Sequence, residues 1–262
     1  MTVAARGGPL TGHTCTATGI VLDRREWSEA SQILTLFTAE FGRLKALAKG
    51  ARRERSRHGG GADVLDHVAV LLYPRERGLH LLGELMLRPA QPARGLRRRL
   101  SSLLAGFAVA ETVREGTAEH EPAPALYDDV VATLAALADA PRPGVALAAF
   151  EWRFLAATGD APSLDACAAC GAPLPPGPVP FAAAGGGACC RDCRPDAPPP
   201  VRTLPAEARA GLGALRNGDD GADALPPRAL RSARAALAAT FRALQSRPRR
   251  SDRFAGLIEA VA

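Results

Sequence analysis

Aromatic side chains make up 5% of this 262-residue chain, against 47% hydrophobic residues overall. A core so poor in rings is built from Ala and Leu, which suits helices better than sheets. Lysine is scarcer still: Lys45 and Lys49 are the only two, and the remaining basic side chains are arginines and five histidines. Those histidines (His13, His58, His67, His80 and His120) include no pair at metal-ligand or catalytic-triad spacing. A His-x-Glu ahead of a Pro-Cys-x-x-Cys is missing, which argues against a zinc deaminase. Neither Gly-x-x-x-x-Gly-Lys-Ser/Thr nor a strand-to-helix Gly-x-Gly-x-x-Gly appears, which argues against nucleotide chemistry of those kinds. Catalysis is not expected. No apolar run reaches the roughly 20 residues that span a bilayer. Met1 to His13 lacks the charged start and apolar centre of a signal peptide. A reducing cytoplasm is the expected setting, with no membrane partner.

Two things are abundant locally. Five of the six cysteines lie between residues 167 and 193, and only Cys15 stands apart. Cys167-x-x-Cys170 and Cys190-x-x-Cys193, with nineteen residues between them, have the spacing of a four-thiolate zinc site with metal–sulfur distances of about 2.3 Å. Four thiolates leave no open coordination position, so the expected Zn2+ is structural. The bland alternative is a set of buried free thiols. Cys189 complicates the second pair; the two-residue gap favours Cys190, while Cys189 could substitute for it. Cys15 reads as a small apolar residue on the first strand.

Positive charge is the other concentration. The net charge is +6, a mild lean toward polyanions. Arg43, Lys45, Lys49, Arg52, Arg53, Arg55 and Arg57 face a single acid, Glu54, within fifteen residues. Charge runs are usually solvated loops, but cations spaced along a loop can also track phosphates without reading bases. A second cluster, Arg242, Arg247, Arg249, Arg250 and Arg253, is either favourable placement near a helix end or an auxiliary anion surface.

Strand-like texture runs from Thr14 to Leu22, Gln32 to Thr38, Leu44 to Ala48, Val68 to Tyr73 and Leu79 to Leu87, with polar or Gly-bearing turns between. Five short strands in this length suit a barrel of the oligonucleotide/oligosaccharide-binding (OB) kind; an open meander covered by helices is the alternative. The basic run then connects the third and fourth strands. Phe37, Phe41 and Tyr73 are candidate stacking platforms for bases, though more often such residues are core. After Pro89 and Pro92 the period becomes helical: Leu96, Leu100, Leu103 and Phe107; then Leu126, Val130, Leu134 and Leu137; then Leu147, Phe150 and Phe154. Glu111, Glu115, Glu119, Glu121, Asp128 and Asp129 mark solvated faces there. Helical spacing returns at Leu230, Leu237, Phe241 and Leu244, and at Phe254, Leu257, Ile258 and Val261. The expected fold is α+β: a flexible leader (1–13), a five-stranded OB barrel (14–88), a helical bundle in two parts (89–161 and 201–262), and a zinc-binding insertion between them (162–200).

These features together resemble the RecO family of bacterial recombination mediators. The likeness begins at Thr18-Gly19-Ile20-Val21-Leu22 and runs through Glu29 to Thr38. Phe41-Gly42-Arg43-Leu44 leads on to its most specific part, Lys49-Gly50-Ala51-Arg52-Arg53. Leu71-Leu72-Tyr73, Leu82-Gly83-Glu84-Leu85, the approach to Cys167 from Leu155, Phe181 with Gly186-Gly187, and Ser246 to Phe254 extend it. The resemblance implies an OB domain, a helical body and a zinc insertion. It also implies binding of single- and double-stranded DNA, strand annealing, and work beside RecR, often with RecF, to load RecA. Recognition of the acidic C-terminal tail of single-strand-binding protein by the helical body is implied as well. The extra Cys189, the proline-rich zinc loop and the 13-residue leader depart from the familiar pattern. An RNA-binding or translation-associated zinc-ribbon protein and a protein-only scaffold are the competing readings.

Overall fold

Runs of β-branched and aliphatic residues fold as β1 (Cys15–Ser28), β2 (Ser31–Thr38), β3 (Gly42–Ala48), β4 (His67–Tyr73) and β5 (His80–Leu87). The structure, a computed structural model, describes residues 14–53, 56–76, 78–218, 224–245 and 248–259. The expected leader, Arg55, Arg247 and Val261 lie outside the described residues. In β3 burial alternates, Leu44, Ala46 and Ala48 inward and Lys45 outward, the two-residue period of a strand with one face in a core. The strands close into a barrel in the order β1-β2-β3-β5-β4. Neighbours are antiparallel except β3 and β5, where Ala46 lies beside His80 and Leu47 beside Leu81. This is the closed five-stranded OB arrangement, and it excludes the open meander. Leu34, Leu36, Leu44, Val70 and Leu72 are among the residues that fill it.

β1 is longer than its sequence suggests, running to Ser28 rather than stopping at Leu22. Cys15 to Ile20 pair with β4 on one side, while Asp23 to Ser28 pair with β2 alone. The second half of the strand is therefore an edge. Its charged residues Arg24, Arg25 and Glu26 hide the pattern from a hydrophobicity count, yet charge is how exposed edges are commonly protected.

Helices α1 (Pro92–Leu96), α2 (Leu100–Gly116) and α3 (Pro124–Asp139) complete a first compact unit that ends at Asp139. The expected inner face of α2 is reversed. Leu100 and Phe107 are exposed, and Ala105, Ala108, Val109, Thr112 and Val113 are buried. Close approach explains it: a Cβ on Gly106 would come within 2.9 Å of Leu65 and 3.0 Å of Leu96. Small residues must face inward where neighbours are this near, which pushes the larger ones out. The α3 residue Tyr127 lies 6.1 Å, ring to ring, from Phe37 and 3.0 Å from Nε2 of His67.

The second compact unit spans Ala140–Ala262. It contains α4 (Pro143–Thr158), a small sheet of β6 (Val179–Ala182), β7 (Gly187–Ala188) and β8 (Val201–Leu204), then α5 (Ala206–Asn217), α6 (Pro227–Leu244) and α7 (Ala255–Glu259). α4 buries Leu147, Phe150 and Phe154 as its spacing predicts. Gly159 closes it in the left-handed region (φ 80°), and the N–H of Asp160 reaches back to the Leu155 carbonyl at 2.7 Å, a glycine-terminated cap. On α6, Leu230, Leu237 and Phe241 are buried but Leu244 is exposed. Ile258 is buried, whereas Phe254 and Leu257 are exposed. The sheet and α5 are not expected from the sequence, because their short Pro-, Ala- and Gly-rich runs carry little periodic signal. No helix among the described residues is long and apolar enough to cross a membrane.

Candidate metal centre and nucleic-acid interface

The two Cys-x-x-Cys turns meet. The sulfur atoms of Cys167, Cys170, Cys190 and Cys193 all lie within 4.8 Å of one another. A tetrahedral zinc with bonds of about 2.3 Å separates its sulfurs by about 3.8 Å, and Cys170 and Cys190 are 3.9 Å apart. The donor set and its dimensions therefore fit a structural zinc. Of the adjacent pair, Cys190 belongs to the cluster; Cys189 is buried, outside it, with its N–H on the Pro180 carbonyl at 2.9 Å. The β6–β7 pairing sets this register, with Phe181 beside Ala188, so the chain leaves β7 with Cys189 turned into the fold.

Backbone N–H groups hold the sulfurs. Those of Cys170 and Cys190 point at Cys167 and draw its thiol down to about 6, where the metal-binding thiolate is populated at neutral pH. The Cys193 N–H lies 3.4 Å from the Cys190 sulfur. The Cys193 thiol donates to the sulfurs around it, Cys190 foremost, which holds its proton and pushes its ionisation up, a cost that a divalent cation reverses. Cys167→Ser or Cys193→Ser is expected to lower zinc content measured by elemental analysis from about one ion per chain to near zero. Protease cleavage is then expected within residues 163–204, because metal-binding energy is folding energy in such loops. Cys189→Ser is expected to keep the ion; losing it as completely as Cys190→Ser would overturn the four-residue assignment.

The seven cations of the basic run fall into two groups. Arg43 and Lys45 are on β3, where they grip the α2–α3 connection. Arg43 Nε donates to the Thr117 carbonyl at 3.0 Å, its Nη1 lies 3.0 Å from Glu119, and Lys45 Nζ lies 2.7 Å from the same carboxylate. The hydrogen bond from Lys45, helped by the charges of both cations, outweighs partial burial and holds Glu119 below the usual carboxylate range. That contribution is present at neutral pH and fades as pH falls through the lowered value. Gly42 makes the contact possible: its φ is 66°, and a Cβ there would fall 1.9 Å from the Glu121 carbonyl oxygen. Glu119 is thus an ion-pair partner and not simply a solvated acid.

Lys49, Arg52, Arg53 and Arg57 form the second group, all exposed, while Arg55 lies outside the described residues. Their loop is tied back to the barrel. The Gly50 N–H donates to Ser31 Oγ and the Arg52 N–H to the Ala30 carbonyl, both at 3.1 Å. The Leu85 N–H donates to the Arg57 carbonyl at 3.3 Å. His58 is buried beneath, its ring bonded to the Lys49 backbone, and burial lowers its pKa so that it stays neutral. Arg52 also meets Glu26 at 2.7 Å, with both side chains close to half exposed, a pair worth about 1 kcal/mol or less.

Other expected residues sit elsewhere. Phe37 and Phe41 are buried and cannot stack bases. Tyr73 is exposed at its edge but lies over Gly83, where a Cβ would meet its ring at 2.3 Å. In the C-terminal cluster Arg242 pairs with Asp252, and Arg249 is buried against Glu151. His80 and His120, distant in sequence, meet edge to face at 5.1 Å.

The basic run has a cationic neighbour outside its own fifteen residues. Arg94, Arg97 and Arg98 are exposed at and just after α1, and Asp63 bridges Arg97, at 3.3 Å, to Arg24 of β1. Counting charges across Ala93 to Arg99 would have found it, because four of those seven residues are arginine.

Comparison with known proteins bears on both sites. Residues 13–88 match the family model "Recombination protein O N terminal", and residues 97–254 match "Recombination protein O C terminal". The chain is 40% identical over 228 residues to DNA repair protein RecO of Anaeromyxobacter sp. (strain K), covering 85% of this chain and 88% of that one. It is 38% identical over 225 residues to DNA repair protein RecO of Streptomyces avermitilis, covering 81% and 87%.

Proposed function

The chain belongs to the RecO family of DNA repair and recombination proteins, and we propose that it is a non-catalytic, DNA-binding recombination mediator of the cytoplasm and nucleoid. It anneals complementary strands and, with RecR and RecF, helps load RecA on DNA coated by single-strand-binding protein. The observation that carries this reading is the set of exposed cations Lys49, Arg52, Arg53 and Arg57 on a loop anchored by backbone hydrogen bonds to the end of a closed OB barrel.

The physical argument needs no reacting group. A loop fixed at several points presents its charges without first losing chain entropy. Phosphates that meet those charges release counterions, which drives binding and makes it salt-dependent. Two strands held on one cationic surface repel each other less, so complementary bases can pair. The zinc, held by Cys167, Cys170, Cys190 and Cys193, braces the second unit and takes no part in this step. In that unit Phe254 and Leu257 are exposed beside Arg253, the apolar and cationic combination that an acidic, hydrophobic-ended tail of single-strand-binding protein requires.

Annealing of complementary oligonucleotides coated with single-strand-binding protein tests the proposal directly. The protein is expected to accelerate duplex formation, most strongly below about 100 mM salt, where cation–phosphate contacts are least screened. An annealing rate equal to the protein-free control at every salt concentration would refute it. A preference for structured RNA over single-stranded DNA in competition would favour the translation-associated alternative.

A further inference from the structure

Trp27 is the residue for which neither the barrel nor the cationic loop accounts. It is 63% exposed, while the chain's other tryptophan, Trp152, is 5% exposed in the second unit. Its position is structurally distinct. On β1, Glu26 pairs with Gln32 and Ser28 with Ser31, so the register shifts between them and Trp27 has no partner across the ladder. A bulge of this kind bends an edge and re-aims a side chain. It lies on the part of β1 that β2 alone supports, and the four residues Arg25 to Ser28 are all exposed.

The surroundings select the ligand. The hairpin turn that follows Trp27 is the segment to which the cationic loop is tied: Ala30 accepts from the Arg52 N–H and Ser31 Oγ from the Gly50 N–H, each at 3.1 Å. The indole and the cations of Lys49, Arg52 and Arg53 therefore belong to one end of the barrel. Arg25, two residues before Trp27, has a side chain 79% exposed and a contact to Asp23 at 3.4 Å. Glu26 is paired with Arg24 and Arg52, leaving Glu29 as the acid of the turn itself, and it is exposed. That acid disfavours a phosphate at the tip and leaves the flat neutral indole for a flat neutral group. A chain of phosphates with free aromatic faces at each repeat fits this pattern, and that chain is single-stranded nucleic acid. Duplex bases are already stacked and present no face.

We propose that Trp27 is a base-stacking platform which, next to the cationic loop, gives this surface its hold on unpaired over paired DNA. The inference rests on the loop being the DNA site and adds a preference that cations alone do not supply, since phosphates are common to both forms.

The full-length protein tests it with three measurements at one salt concentration: affinity for an unstructured single-stranded oligonucleotide, affinity for a duplex of the same length, and tryptophan fluorescence during the first titration. Trp27→Ala is expected to weaken single-strand binding about tenfold or more, the usual scale for one aromatic–base stack, with duplex affinity changed less than about twofold. Trp27→Phe is expected to recover most of the loss. Single strands are expected to quench the wild-type emission, and to quench that of Trp27→Phe, which reports only the buried Trp152, far less. Equal losses on both DNA forms, or no loss on single strands while glutamates in the loop abolish binding, would overturn the stacking role and leave the loop assignment standing. If the loop variant binds normally, the reading beneath it fails first.

Discussion

Replacing Lys49, Arg52, Arg53 and Arg57 together with glutamate is expected to reduce affinity for single-stranded DNA at least about a hundredfold at 50 mM salt, with helicity and zinc content unchanged. Each phosphate contact on a single strand contributes roughly 0.7 to the slope of log K against log salt, so removing four flattens that slope by about 3. The alanine version of the same set gives the cleaner slope, because it deletes attraction without adding repulsion. Arg43→Ala with Lys45→Ala is the matched control. Those cations are held at 3.0 and 2.7 Å from Glu119, and their loss is expected to change DNA affinity less than about threefold while loosening the α2–α3 connection. If the control pair proves the more damaging to binding, the cationic surface runs along β3 and not along the loop. An unchanged affinity and slope for the glutamate variant would remove the loop as the DNA site altogether.

The division between these two sets shows where the sequence is readable and where it is not. Charge counting found all seven cations, because local composition survives in a string of letters. It could not find that Glu119, 76 residues from Arg43, pairs with two of them, since that pairing depends on Gly42 letting the α2–α3 connection pass within contact of β3. The strands were legible for a similar reason: alternation in β3 and β4 is local. The outer half of β1 was not, because Arg24, Arg25 and Glu26 protect an edge and so look like a loop. Trp27 is illegible with it, as a lone aromatic among charges carries no period. In α2 the error ran the other way. Leu100, Leu103 and Phe107 satisfy helical spacing, but close packing around Gly106 reserves the inner face for smaller side chains, Ala, Val and Thr. At the cysteines, spacing alone favoured Cys190 over Cys189, and the fold agrees because β7 fixes which of the two points toward Cys193.

The C-terminal arginines supply the other large effect. Arg249, read from sequence as a helix-end cation or a surface anion site, has a side chain 2% exposed and lies 2.8 Å from Glu151, itself 1% exposed. Its second nitrogen is 2.9 Å from Asp252, and its guanidinium carbon is 4.2 Å from the centre of the Phe241 ring. Burial alone disfavours the charge, but Glu151 and Asp252 overcome that penalty and bind the proton more firmly. The segment after α6 is thereby locked onto α4 through one ion pair under an aromatic face. Removing a single partner strands the other's charge in the interior, which costs about 3–5 kcal/mol. Arg249→Ala or Glu151→Ala is therefore expected to lower the melting temperature of the second unit by roughly 10–20 °C, read by calorimetry on the full chain. Replacing both at once, as Glu151→Leu with Arg249→Met, exchanges paired charges for apolar volume, which is often close to neutral. The double variant should thus melt well above either single one. Independent, additive losses would mean that the two side chains act separately. Because both side chains are buried, folded samples of the double variant are expected to hold DNA as the wild type does. If they do not, the buried arginine has a role at the DNA surface that an internal anchor does not explain.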